Sequence, residues 1–86
     1  MKITLVVTGR SYHLTKNIPS QLELDAGSGL GEAISTINDH LPTEQPLPQS
    51  CLIAVGGKHV GTVGTHPPTD LNDGDELVII APVAGG

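Results

Sequence analysis

Over residues 2–8 the chain alternates: Ile3, Leu5 and Val7 fall in one phase, and Lys2, Thr4, Val6 and Thr8 in the other. A period of two puts successive side chains on opposite faces, so the pattern predicts a half-buried strand. Gly9-Arg10-Ser11 then reads as a turn, and Tyr12-His13-Leu14 suits either a hairpin extension or a loop. After Pro19 a second alternation, Gln21-Leu22-Glu23-Leu24-Asp25, turns Leu22 and Leu24 inward. Two short amphipathic strands this close in sequence predict an antiparallel pair.

The period then changes. Leu30, Ala33, Ile34, Ile37 and Leu41 recur at helical spacing and make one apolar stripe. Ser28 or Gly29 is the expected N-cap, and Glu32 falls in the first turn, where negative charge is favoured. Pro42 stops the helix at or just before His40-Leu41, while Gly29 and Gly31 weaken its start. Residues 42–50 are a Pro-rich connection short enough to be a loop within one domain. Leu52 to Val55 form a third apolar run, and Gly56-Gly57 supplies the positive φ of a tight hairpin turn before Lys58-His59-Val60 returns as a short strand. Residues 61–70 are turn-rich, and Asp70 to Glu76 form an acidic turn that feeds the last run, Leu77-Val78-Ile79-Ile80.

That last run has no polar phase. It predicts a strand buried on both faces, in the middle of the sheet and beside the first strand. Pro82 has no backbone N–H, so the chain should leave the sheet there. The final four residues, Val83-Ala84-Gly85-Gly86, are small and uncharged. A carboxylate on Gly86 has no side chain beside it, and the tail is thin enough to enter a narrow channel. The reading is that Gly86 is the reactive group and the remainder of the chain presents it.

Strand, strand, helix, strand, short strand, strand: one amphipathic helix has one sheet to cover. The expected architecture is a two-layer α+β domain spanning residues 1–86, with a flexible tail at about 82–86. Composition refines this in two respects. With no Trp, no Phe and one Tyr, the core must be aliphatic. A net charge of −5 with only four Lys plus Arg argues against nucleic acid and against an anionic membrane surface, and suits a basic protein partner. Cys51 is the single cysteine, so no internal disulfide forms, and at a strand start it reads as a small buried hydrophobe. No leader or bilayer-spanning stretch is evident, so a reducing cytoplasm is expected. His13, His40, His59 and His66 show no metal-ligand spacing with Cys51. Gly27-Ser28-Gly29-Leu30-Gly31 matches neither glycine-rich phosphate-binding pattern.

These pieces resemble the small sulfur carriers of the ubiquitin-like β-grasp fold, which include the small subunit of molybdopterin synthase and the thiamine-pathway sulfur carrier. The resemblance is carried by Leu52-Ile53-Ala54-Val55 with its glycine turn, by Leu71-Asn72-Asp73-Gly74-Asp75-Glu76-Leu77, and by Ala81-Pro82-Val83-Ala84-Gly85-Gly86. Leu24-Asp25-Ala26-Gly27-Ser28 leading into the helix adds a weaker match. The first strand lacks the aromatic residues of the molybdopterin-type carriers, and the turn after the third strand is Gly-Gly where Asn-Gly is usual, so the pathway stays open. The resemblance implies a β-grasp fold with a mixed sheet of four to five strands under one main helix. It also implies a carrier and not an enzyme. An E1-like adenylating partner would use ATP to activate Gly86, and a persulfide protein would supply sulfur for a thiocarboxylate. That thiocarboxylate would serve cofactor biosynthesis, molybdopterin first and thiamine next, with a large catalytic subunit as a further possible partner. The chain itself would bind no cofactor and no metal.

On this reading Pro82, Val83, Ala84 and Gly85 thread the partner. Docking is expected to use Ile80 and Leu52 near the tail, the acidic turn at Asp73, Asp75 and Glu76, and Arg10, which stands where the family has an arginine. Core packing accounts equally well for Ile80 and Leu52, and a solvated turn accounts for the acids. Two other functions fit the same residues: a ubiquitin-like modifier joined to lysines through Gly86, and a β-grasp interaction module with an inert tail.

Overall fold

The structure, a computed structural model, describes residues 1–8, 18–41 and 47–81. Five strands and a helix follow in the predicted order: β1 (Lys2–Thr8), β2 (Gln21–Glu23), α1 (Leu30–Asp39), β3 (Leu52–Val55), β4 (Lys58–Thr62) and β5 (Glu76–Ile80). The strands form one mixed sheet in the order β2-β1-β5-β3-β4. β1 pairs antiparallel with β2 and parallel with β5, and β5 pairs antiparallel with β3. The last strand therefore lies at the sheet's centre beside the first, where the apolar run placed it.

The two hydrophobic periods meet in a single core. Register sets Leu5 beside Leu77, Val7 beside Ile79, and Ile53 against Ile79 on one face of the sheet. Leu30, Ala33, Ile34 and Ile37, the stripe of α1, are buried in the same cluster. Every large side chain in it is aliphatic. Cys51 joins it with 1% of its surface exposed, and burial pushes its thiol above the ordinary range, so it stays protonated and unreactive at neutral pH.

Local chemistry sets the boundaries. Gly29 is the N-cap, in extended conformation. It has no side-chain oxygen to offer, and the Glu32 carboxylate instead accepts the Gly29 N–H at 3.0 Å. At the other end of α1 the Asn38 side-chain oxygen accepts the Leu47 N–H at 2.9 Å, which ties the returning chain to the helix. Gly56 and Gly57 both take positive φ (59° and 84°), as the two-residue hairpin between β3 and β4 requires. β4 runs on to Thr62, past the Val60 limit expected from sequence.

One expectation is corrected. β5 is not buried on both faces. Leu77 and Ile79 are fully buried, while Val78 is half-buried and Ile80 exposed. One helix covers only one side of a sheet, and among the described residues no second layer packs on the other side.

β4 also contains the tightest backbone packing. Gly61 has φ +146°, and a Cβ there would stand 2.6 Å from the Thr65 carbonyl oxygen and 3.0 Å from the His66 Cα. Gly61→Ala is expected to lower stability by about 2 kcal/mol, from unfavourable φ plus backbone collision. Gly31→Ala, in α1 where a Cβ meets nothing within 4 Å, is expected to raise it by about 0.5–1 kcal/mol. Urea midpoints of the two variants should move in opposite directions.

Candidate functional site: the open sheet face and the end of strand β5

The uncovered face of the sheet is built by the residues in the outward phase of each strand. Register places them in two rows. One runs Val6, Val78, Ala54, His59 across β1, β5, β3 and β4; the next runs Thr8, Ile80, Leu52, Thr62. Among the described residues, Val6, Leu52 and Ile80 are the exposed large hydrophobics, at 40%, 42% and 38%. With Val78 and Ala54 between them they form a contiguous apolar patch rimmed by Thr8, Thr62 and His59. Apolar residues gathered on one face at this exposure make it a candidate surface for a partner.

The patch lies where β5 ends. The Ala81 N–H donates to the Thr8 carbonyl at 2.9 Å, continuing the β1–β5 ladder one residue past Ile80. Pro82, the next residue, has no N–H to donate. The last described residue of the chain is therefore tied to the sheet's centre, next to the row that contains Leu52 and Ile80. Pro82, Val83, Ala84, Gly85, Gly86 and Arg10 lie outside the described residues.

Of the sequence-predicted docking residues, the structure brings Ile80 and Leu52 together as direct cross-strand partners. Both are on the open face and not in the core. The acidic turn is placed elsewhere. It lies at the beginning of β5, about 13 Å from the tail end at roughly 3.3 Å per residue. Two of its acids have structural duties: Asp73 Oδ1 accepts the Lys2 N–H at 2.7 Å, and Asp75 Oδ2 accepts the Asn72 N–H at 2.8 Å. The Glu76 carboxylate makes no hydrogen bond among the described residues, and its side chain stands on the open face in line with Val78 and Ile80. Sequence reasoning missed Val6, Val78 and Ala54. Val6 carried a signal, an apolar residue in the polar phase of β1; Val78 and Ala54 sit in uniformly apolar runs that carry none.

The glycine-rich start of α1 borders a groove lined by Leu30, Glu32, His66, Thr69 and Asp70. Glu32 already occupies the Gly29 N–H there, and the two carboxylates repel an anion. No helix among the described residues is long and apolar enough to cross a membrane.

A mixed sheet in the order 2-1-5-3-4 with one helix on one face, its central strand delivering the C-terminal tail, defines a ubiquitin-like β-grasp protein. The chain belongs to the ThiS family of ubiquitin-like sulfur carriers, whose sequence profile matches residues 5–86. Membership of this family of small carrier proteins supports a sulfur-carrier role. Among solved structures, the crystal structure of SAMP1 from Haloferax volcanii matches with a TM-score of 0.68 over 100% of both chains. At 15% identity that likeness is one of fold. No match is found among curated protein sequences.

Proposed function

We propose that this chain is a sulfur carrier for cofactor biosynthesis, molybdopterin before thiamine, with Gly86 as its only reacting residue. The observation that supports this reading best is the last ladder bond among the described residues, from Ala81 to Thr8 at the centre of the sheet, followed in sequence by Pro-Val-Ala-Gly-Gly. A rigid strand holds the root of a small-residue tail beside an apolar docking surface. Ile80, Leu52, Val6 and Val78 seat the E1-like partner, and the tail enters its active site as an extended peptide.

The partner then activates the Gly86 carboxylate. A carboxylate oxygen attacks the α-phosphorus of ATP, a P–O bond forms, and pyrophosphate leaves. The terminal sulfur of a persulfide on a donor protein attacks the resulting acyl-adenylate carbonyl and AMP departs. The product is an acyl persulfide. A second thiol attacks its donor-side sulfur, which frees the thiocarboxylate and leaves a disulfide between that thiol and the donor's cysteine. Glycine at the reacting position keeps a Cβ away from the carbonyl carbon that the persulfide attacks. The chain contributes reach and fit, and the ATP belongs to the partner.

Intact-mass measurement after incubation with ATP, the adenylating enzyme of the source organism and a persulfide donor should show one oxygen exchanged for sulfur at Gly86. Higher-mass conjugates that survive reducing agent, with no such exchange, would replace this reading with that of a protein modifier.

A further inference from the structure

The open face is not uniform. Its half nearest the end of β5 is apolar, with Leu52, Ile80, Val6 and Val78. Its other half, where β5 begins, is charged. Lys2 on β1 is directly opposite Glu23 on β2, both in the outward phase, so the one lysine there already has an acidic neighbour. Glu76 follows on β5, opposite Thr4. Asp73 and Asp75 add negative charge just below, although backbone N–H groups hold their carboxylates in place. Of the three acids that end the turn, only Glu76 combines exposure, a place on the docking face and a carboxylate without a hydrogen bond among the described residues. It stands two residues from Val78 and four from Ile80 along one strand, in the same phase, so a flat partner that covers the apolar half reaches it.

We propose that Glu76 is the charge by which the partner reads this face, and that the partner presents a Lys or Arg side chain to it beside an apolar surface. The inference rests on the docking role given to the sheet face above. A carboxylate covered by a partner without a cation would be desolvated and unpaired, which costs affinity. The same carboxylate opposite a guanidinium or ammonium gains a charge-assisted bond and fixes the register of the chain on its partner. Glu76 thereby sets which partners accept the chain, and the apolar half sets how tightly they hold it.

The test is titration calorimetry of the full chain against the purified adenylating enzyme, at several salt concentrations, with Glu76→Gln, Glu76→Lys, Asp70→Lys and Ile80→Asp. Asp70 is exposed on the turn but lies outside β5 and its open face, so its reversal controls for net charge. Expected are a loss of about tenfold for Glu76→Gln, a larger loss for Glu76→Lys, a weaker salt dependence in Glu76→Gln, and at most a twofold change for Asp70→Lys. Unchanged unfolding midpoints would show that the losses are not failures to fold. If Glu76→Lys binds like wild type while Ile80→Asp does not, the proposal falls and the docking face stands. Equal losses for Glu76→Lys and Asp70→Lys also overturn it, because diffuse charge then suffices. If neither Ile80→Asp nor Glu76→Lys changes binding, the docking face falls as well.

Discussion

Removal of Gly85 and Gly86 is expected to end sulfur loading completely and to leave the unfolding transition where it was. Among the described residues the core closes at Ala81, and the last ladder bond is the one from its N–H to Thr8. Gly85 and Gly86 have no side chain to bury. On the proposed route the reaction depends on them wholly, since adenylation would need a carboxylate at the bottom of the partner's channel, and a tail two residues shorter withdraws it by about 6–7 Å. Displacement on that scale exceeds what a positioned reaction tolerates. Intact mass and a thermal melt of the same truncated sample check both halves. A plain interaction module would keep its binding after truncation, so full activity of the shortened chain would remove carrier and modifier together.

Placing aspartate at Leu52 and Ile80 is expected to abolish docking at a small cost to the fold. Each side chain is about two-fifths exposed, so each gives the native state only part of the 1.5–3 kcal/mol that full burial contributes. In the proposed docking mode both lie under the partner, where an interfacial carboxylate would be desolvated without a partner of its own. A loss of about 2 kcal/mol or more is expected for each, roughly thirtyfold in affinity. Ile79→Ala, one residue away, should behave in the opposite manner. Ile79 is fully buried against Ile53, so truncation opens a cavity and costs about 2–5 kcal/mol of stability. Calorimetric binding and urea unfolding on the three variants separate the two faces of one strand. Binding by Leu52→Asp and Ile80→Asp at wild-type strength would remove the sheet face from the docking surface.

The contrast between Ile79 and Ile80 shows where the sequence was legible and where it was not. Alternation in β1 named Ile3 and Leu5, and helical spacing named the stripe of α1, as buried, because the polar residues of the other phase, or of the other side of the helix, declare which side faces water. Leu77-Val78-Ile79-Ile80 and Leu52-Ile53-Ala54-Val55 declare nothing of the kind. Both phases are apolar in each run, and a strand in a sheet covered by helices on both faces reads the same as a strand whose outer face waits for a partner. For the same reason Leu52 and Ile80 suited core packing and docking equally well. The acidic turn was visible as a turn, but the hydrogen bond that occupies Asp73 depends on Lys2 being brought to it, whereas the one that occupies Asp75 comes from Asn72 within the turn itself.

By itself, then, the sequence determined the elements and their order, the aliphatic core, the central place of β5, and the Pro-Val-Ala-Gly-Gly tail, all of which derive from local periodicity, backbone chemistry or the identity of the residues. Only the tertiary structure decided which apolar residues remain at the surface. That depends on how many layers cover the sheet: α1 covers one face, so one phase of β5 became core while the other, joined by Val6, Leu52 and Ala54 through cross-strand register, became the candidate docking face beside the tail.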